Sequence, residues 1–458
     1  MDAAHAVDIA SLARELREDL ATADAPAARS ASGWPVVIAE VSALTRNVSP
    51  EAYDPYHVSI GPYHHIRNPD LARHEDKIRS LSAVLSAASG GVTLEAYLDV
   101  VARMEAQARS CYAHNFNLES NAFVRMLLLD ACYVLVHFGG VGVGVGVGGR
   151  RGSGRDMMEA VGVVRDVIYL AENQIPFFVV DEIHKLTTPD GGGVPAAEAI
   201  AGYVRELLRG QQYSVAMPAV AGPPGPGNLL HLLHMHLTPT ATAVLVSSSR
   251  ATTGSRVAAS QRRFGRWRSA TEYYCAGVGF RSRALVGKGA RSILDVRLDG
   301  RGGTLEIPRL RIDAETSRLL RNLMALEQSN PAEAGSHVTA YCVFLSQMAG
   351  TVRDVELLSR RGIIAHGLGS HDEVAACLAG LCKGVAFGGD DPGGNYLRAT
   401  WQGLEESFRS RPRRWAAWLM LKYFRNPWLA VGLAAAGVGL VCTVVQAVYA
   451  VMAYTPDA

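Results

Sequence analysis

Charged side chains are missing from the stretch between Trp428 and Tyr454, where Gln446 is the only strongly polar residue. A helix needs about 20 apolar residues to cross the hydrocarbon core of a bilayer. The uncharged run is longer than that, and longer than the usual buried core helix. Asn426 and Pro427 are suited to opening a helix, as N-cap and first helical residue. The sequence therefore predicts a membrane span within 426–454, with Trp428 and Tyr454 at its two interfaces.

The chain also lacks an excess of charge, a disulfide framework and a signal sequence. Its 45 basic and 43 acidic residues leave a net charge of +2, which gives no reason to expect nucleic acid as a partner. The seven cysteines are scattered, without a CxxC pair, and predict reduced thiols. The N-terminal stretch has no apolar core of the kind a secretory signal needs, so none is predicted.

Motifs of catalysis and cofactor binding are scarce as well. Gly144, Gly146 and Gly149 match a dinucleotide-binding spacing, but they lie in a Gly-Val tract without the required strand and helix. His231, His234 and His236 lie close in sequence, but zinc would need a further ligand, and nothing in the sequence supplies it. No Ser, Cys or carboxylate pattern indicates a nucleophile or an acid–base pair. We therefore expect no catalytic residue, no cofactor and no metal.

A basic cluster precedes the predicted span, whereas only the four residues 455–458 follow it. The cluster consists of Arg409, Arg411, Arg413, Arg414, Lys422 and Arg425. By the positive-inside rule this asymmetry predicts a cytosolic globular part, anchored at the plasma membrane or the endoplasmic reticulum. The bases are placed to contact anionic lipids. Small residues spaced four apart in the span also allow self-association.

Helical periodicity dominates the remaining chain, with one alternating segment at Ile293–Leu298 and Thr304–Ile307 that predicts a β-hairpin. The predicted fold class is mainly α: a helical head with a small β-hairpin and one C-terminal transmembrane helix. The predicted organisation is an N-terminal helix and linker (1–33), the head (34–425) with flexible insertions at 139–154 and 238–268, the span (426–454) and a short tail (455–458).

Two segments of the head are unusual. The first, residues 48–65, combines prolines with Tyr53, Tyr56, Ile60 and Tyr63, which predicts an ordered loop whose aromatic residues are buried. The second, residues 172–178, reads ENQIPFF and predicts the polar start of a helix over about 173–187, with Asn173 and Gln174 tying the preceding loop.

These strings together resemble a plant family called domain of unknown function 247. The resemblance extends over about residues 34–454, in the family's order, and includes the terminal hydrophobic anchor. Its motif positions are Tyr53, Pro55, Gly61, Pro62, Tyr63, His64, Glu172, Asn173, Gln174, Pro176, Phe177, Glu306, Pro308, Asn322 and Glu327. The family has no established catalytic residues, so the resemblance implies structural roles for these positions. Some grass members are implicated in pollen–stigma self-incompatibility.

The favoured hypothesis is a membrane-anchored interaction or signalling protein with an unknown protein partner. One alternative is a hydrolase or transferase of unrecognised type, with His64, His65 and Glu172 in a concave site. A second alternative is a lipid-surface adaptor that uses the arginines of 250–268 together with the basic cluster before the span.

Overall fold

A computed structural model describes residue 14 and residues 36–88, 91–141, 154–188, 194–218, 225–240, 264–286, 289–299, 303–389, 395–409 and 427–454. Except for residue 14, the predicted N-terminal helix and linker (1–33) lie outside these residues, as do the greater part of both insertions and the basic residues between 411 and 425. The helices are α1 (Ala43–Arg46), α2 (Pro62–Arg67), α3 (His74–Ala87), α4 (Leu94–Arg103), α5 (Glu105–Ser110), α6 (Ser120–Phe138), α7 (Gly154–Val164), α8 (Phe177–Thr187), α9 (Ala196–Gly210), α10 (Leu229–Met235), α11 (Ala270–Cys275), α12 (Thr316–Ser329), α13 (His337–Met348), α14 (Val352–Arg360), α15 (His371–Gly380), α16 (Arg398–Arg409) and α17 (Pro427–Tyr454).

The strands form two small sheets and confirm the hairpin in a shortened form. They are β1 (Gly279–Arg283), β2 (Arg297–Asp299), β3 (Thr304–Pro308), β4 (Leu310–Ile312) and β5 (Ile364–His366). β2 pairs with β3 in antiparallel fashion, as predicted, while β1 adds to β3 in parallel. β4 and β5 form a separate parallel pair. The predicted mainly helical fold with a small β element is therefore confirmed, although the parallel strands were not predicted.

Helix α6 is the centre of the first half of the chain. It is apolar on nearly every face because α3 and α8 pack against it, and α4 contacts it as well. Among the described residues, α6 is the helix whose length and composition would also allow it to cross a membrane. Most of that apolar window, 72%, is buried inside the protein. In the second half, α12 packs on α13, and α14 packs on α15.

The cysteines agree with the prediction of reduced thiols, since all seven are free of disulfide bonds. Cys111, Cys132 and Cys342 are buried. The sequence Ser370-His371-Asp372-Glu373 predicts a capping box, and half of it is present: the side chain of Ser370 accepts a hydrogen bond from the backbone N–H of Glu373 at the start of α15. The Glu373 carboxylate instead accepts from the N–H of Gly369.

The last helix, α17, begins at Pro427 and ends at Tyr454, within one residue of the predicted bounds. Its apolar stretch with described side chains is Ala435–Ala450. Every residue of that stretch is exposed. The predicted helix is present, and its insertion into a membrane stays a prediction.

Candidate functional site

The segment 171–176, which carries the polar part of the ENQIPFF motif, is not helical. The chain leaves a π-helical turn at Arg165–Tyr169 and enters α8 only at Phe177, with Pro176 as the N-cap. The prediction of a helix from about 173 was therefore wrong at its start. The physical reason is that proline disfavours helical backbone in the residue before it, here Ile175. The side chains of Glu172, Asn173 and Gln174 are all buried in this turn.

Glu172 is a buried carboxylate that binds residues near the N-terminal end of the head. Its Oε1 accepts a hydrogen bond of 2.6 Å from the backbone N–H of Val41. Its Oε2 lies 2.5 Å from a guanidinium nitrogen of Arg46 and 2.5 Å from one of Arg67. The two guanidinium groups and the backbone N–H thus compensate the negative charge of the Glu172 carboxylate, whose burial without partners would be very unfavourable.

Asn173 fixes the proline-rich loop from the other side. Its Oδ1 accepts a 2.7 Å hydrogen bond from the N–H of Ile60, and its Nδ2 donates to the carbonyls of Val58 and Asp166. The Asp166 carboxylate accepts hydrogen bonds from the N–H groups of Tyr56, His57 and Val58. The side chains of Asn173 and Asp166 thereby determine the backbone path of residues 56–60.

Gln174 links the motif to α10. Its Oε1 accepts hydrogen bonds from the N–H groups of Leu229 and Leu230, at 3.0 and 3.3 Å. Its Nε2 donates to the carbonyls of Val167 and Leu170, both at 2.9 Å. The predicted role of Asn173 and Gln174 in tying the loop before their helix is borne out by these contacts. Gln174 also caps the first amides of a second helix, which no local pattern indicates.

Gly61 lies where the two segments approach most closely. Its φ of +75° and ψ of 176° fall in a region that only glycine adopts readily. A Cβ atom at this position would lie 2.2 Å from the carbonyl oxygen of Gln174. The N–H of Gly61 donates a 2.8 Å hydrogen bond to Asp130 of α6, whose carboxylate also pairs with Lys77 at 2.5 Å. The motif glycine is thus required by geometry.

His64 is close to Glu172, as the hydrolase hypothesis requires. Its Nε2 lies 3.7 Å from Oε2 of Glu172, and both side chains are fully buried. Burial lowers the pKa of His64 below its usual 6.5, although the nearby Glu172 carboxylate acts in the opposite direction. This shift favours the neutral form of the imidazole. Glu172 is already occupied by two arginines, which leaves it poorly placed to act as a base.

The other motif positions divide between this loop and the second half of the chain. Tyr53 and Pro55 are buried in the loop, and Pro62 and Tyr63 are buried in the first turn of α2. The prediction of a loop through residue 65 was therefore wrong from Pro62, because proline is tolerated at the first position of a helix. Tyr56, which was expected to be buried, is 52% exposed. Asn322 of α12 joins the two halves: its Oδ1 accepts from the N–H of Ala171, and its Nδ2 donates to the carbonyl of Ala52. Glu306 and Pro308 lie on β3.

Glu327, the remaining motif carboxylate, belongs to a second buried cluster. Its Oε1 lies 2.9 Å from Nε2 of His234 and 3.8 Å from Nδ1 of His337. The rings of His234 and His337 pack with centroids 4.4 Å apart. Burial lowers the pKa of His234 to about 4 and that of His337 to about 3. The sequence drew attention to His231 and His234 but gave no indication of Glu327 or His337 as their neighbours.

The fold and the buried polar network define a class of protein. It has a mainly helical head, in which the motif side chains connect segments that are distant in sequence, and an apolar terminal helix. The chain belongs to the plant family DUF247, described as plant protein of unknown function, whose pattern matches residues 38–442. The resemblance seen in the sequence is thus confirmed.

The chain is also similar to two proteins from Arabidopsis thaliana. It is similar to the UPF0481 protein At3g47200, with 24% identity over 430 residues, which cover 90% of this chain and 85% of the relative. It is also similar to a second UPF0481 protein, At3g02645, with 30% identity over 118 residues, or 26% of this chain and 21% of the relative. No solved structure matches the chain.

Proposed function

We propose that this plant protein is a membrane-anchored interaction protein: α17 inserts into a bilayer, and the helical head binds another protein. The observation that carries the proposal is α17 itself. Its 28 residues give a helix of about 42 Å, longer than the roughly 30 Å hydrocarbon core of a bilayer. Its described valines are about half or more exposed, among them Val438, Val441 and Val444. A bilayer would bury this surface, whereas water would not.

The location is part of the same proposal. The basic residues between Arg409 and Arg425 favour a cytosolic head at the plasma membrane or the endoplasmic reticulum. Gly432 and Gly439 lie two helical turns apart on one face of α17, and nothing within 4 Å would meet a Cβ atom built on either, so a second helix could approach this face closely. Self-association through α17 is therefore also proposed. The interaction could serve self-incompatibility-type recognition, as in some grass members.

Two observations support the interaction role. The motif side chains are engaged in contacts within the head, and one aromatic residue, Tyr56, is exposed. Tyr56 extends from a backbone that Asp166 fixes. The guanidinium groups of Arg165 and Arg318 lie over its ring, at 4.8 and 4.7 Å from the centroid. Tyrosine and arginine are enriched among the residues that dominate protein–protein binding energy. A tyrosine held rigidly at the surface loses little entropy on binding, and we assign it to the partner contact.

The two alternatives have weaker support. The enzyme hypothesis requires access to Glu172, which is fully buried beneath Arg46 and Arg67. The lipid-adaptor hypothesis rests on bases that lie mainly outside the described residues. Arg268 of that group is engaged internally, since it pairs with Glu405 at 3.0 Å and stacks over Phe408.

The anchor is tested by placing charges in the middle of α17. Replacing both Val438 and Val441 with lysine should cost about 2.5–3.5 kcal/mol per lysine on insertion and release the full-length protein into the soluble fraction. Fractionation of plant cells with alkaline carbonate extraction measures this. The matched variant with leucine at both positions should remain with the membranes. Retention of the lysine variant after extraction would contradict the anchor.

The partner contact is tested by proximity labelling of full-length protein that carries a biotin ligase. Tyr56→Ala should reduce the labelling of a specific partner by about 30-fold, the equivalent of roughly 2 kcal/mol at a dominant contact residue. Tyr274→Ala is the matched control, because Arg361 likewise stacks on that ring. If no protein is enriched over α17 fused alone to the ligase, the interaction role is wrong. If Tyr56→Ala retains every partner, the contact lies elsewhere.

A further inference from the structure

Three helices that are distant in sequence bring together three side chains that are able to bind a metal ion. His234 comes from the C-terminal end of α10, Glu327 from the C-terminal part of α12, and His337 from the first residue of α13. One ligating atom from each lies within 4.8 Å of the other two. Imidazole nitrogen and carboxylate oxygen are the ligands found together in His₂Glu zinc sites.

The separations are close to those that a tetrahedral ion requires. With metal–ligand bonds of about 2.0–2.1 Å, two ligating atoms on a tetrahedron lie roughly 3.3 Å apart. The two distances from Glu327 Oε1, 2.9 Å to His234 and 3.8 Å to His337, lie on either side of that value. The third separation, between the two imidazole nitrogens, is at most 4.8 Å. The side chains would therefore have to rotate inward to bind one ion.

Glu327 is held in position as metal ligands usually are. Its Oε2 accepts hydrogen bonds from the N–H and the hydroxyl of Thr339, at 2.8 and 2.7 Å. Its Oε1 accepts one of 2.8 Å from the N–H of Val338. Supporting hydrogen bonds of this kind orient a ligating carboxylate and increase the affinity of a site.

Hydrogen bonding alone leaves part of the cluster unsatisfied. Nε2 of His337 is buried and has no hydrogen-bond partner among the residues that the structure describes. A buried polar atom without a partner costs about 1–3 kcal/mol and calls for an explanation. An ion bound to Nδ1, the ring nitrogen nearest Glu327, would leave the ring proton on Nε2, as in other metal-bound histidines. The side chain of His337 is 12% exposed, so the cluster lies near the surface and an ion can enter.

We propose that His234, Glu327 and His337 bind one divalent ion of the zinc type, with a water molecule as the fourth ligand. The ion would join α10 to α12 and α13, and so connect the helix capped by Gln174 to the second half of the chain. His231, whose ring centroid lies 6.3 Å from that of His234, borders the site. This proposal does not depend on membrane anchoring or on a partner.

The test uses full-length protein in detergent, purified without a histidine tag and stripped with a chelator. Zinc is added, and binding is followed by elemental analysis and by competition with a chromogenic chelator. We expect about one additional zinc ion per chain in the wild type relative to His337→Ala, with affinity reduced at least 100-fold in the variant. His371→Ala, which removes a histidine of α15, should bind zinc as the wild type does. Zinc held by the free cysteines would be common to all three proteins.

A second measurement keeps the result independent of folding defects. Cobalt substituted for zinc should give the absorption bands of a tetrahedral nitrogen and oxygen site, and Glu327→Gln should weaken them while the circular dichroism of the helices is retained. Equal zinc affinity in the wild type and His337→Ala would overturn the proposal. Zinc binding by the wild type only at millimolar concentration would also overturn it.

Discussion

Replacing Glu172 with glutamine is expected to destabilise the head by about 3–5 kcal/mol, the usual effect of breaking a buried ion pair from one side. The substitution keeps the shape of the side chain but removes the charge that Arg46 and Arg67 share. Both guanidinium groups would then lie against a neutral amide. The hydrogen bond from the N–H of Val41 would also be weakened or lost. Folded proteins are stable by only about 5–15 kcal/mol, so this change should strongly reduce the folded population.

A control is available at the same arginine. Glu40 also pairs with Arg67, but its side chain is 40% exposed. Glu40→Gln should therefore change the free energy of unfolding by no more than about 1 kcal/mol. Urea titration of the two full-length variants in detergent measures the difference. Equal effects of the two substitutions would show that burial does not give Glu172 its special role.

The sequence predicted those parts of the fold that leave a local periodic signal. Helix α6 is mostly apolar over its 19 residues, and the sequence predicts a core helix over about 117–138, against 120–138 in the structure. The terminal helix was placed within one residue at each end. The alternation of β3 was recognised, but its parallel pairing with β1 could not be seen in the same way, because the five residues of β1 were not recognised as a strand and no spacing rule links them to β3. The π-helical turn before the motif is likewise determined by tertiary contacts.

The buried networks were beyond local analysis for a different reason. Arg46 and Glu172 are 126 positions apart, and His234 and Glu327 are 93 apart. No spacing rule connects residues at such separations. The resemblance to the family marked Glu172 and Glu327 as special but left their partners unidentified. The network depends equally on residues outside the family motif, and no local pattern in the sequence indicated their role. These residues are Arg46, Arg67, Asp166 and Lys77.

Tyr56 shows how a correct general rule can fail at one position. An aromatic residue in a proline-rich loop is expected to be buried, as Tyr53 and Tyr63 are. Asp166 instead holds the backbone so that the Tyr56 ring faces outward between two arginines. Positions where the structure departs from local expectation are often functional. This departure is why Tyr56 is the first residue to examine for partner binding.

Gly61→Ala should have an effect similar in size to that of Glu172→Gln, through backbone geometry instead of charge. Forcing alanine into the φ and ψ of Gly61 costs about 1–3 kcal/mol. The new methyl group would also meet the carbonyl oxygen of Gln174 at 2.2 Å, and overpacking of this kind adds about 1–3 kcal/mol. Gln174 cannot move away easily, because its side chain makes four hydrogen bonds on both sides of the contact.

Gly91→Ala separates the two contributions. Gly91 has a similar φ of +71°, but nothing lies within 4 Å of a Cβ atom built there. Its substitution should cost only the conformational part, about 1–2 kcal/mol. The free energy of unfolding and the rate of proteolysis within residues 53–62 are the quantities to compare. If both alanine variants lose the same stability, the close approach to Gln174 is not what requires glycine. A larger loss in Gly61→Ala, with faster cleavage of the loop, would establish that the motif glycine and the ENQIPFF segment act as one structural unit.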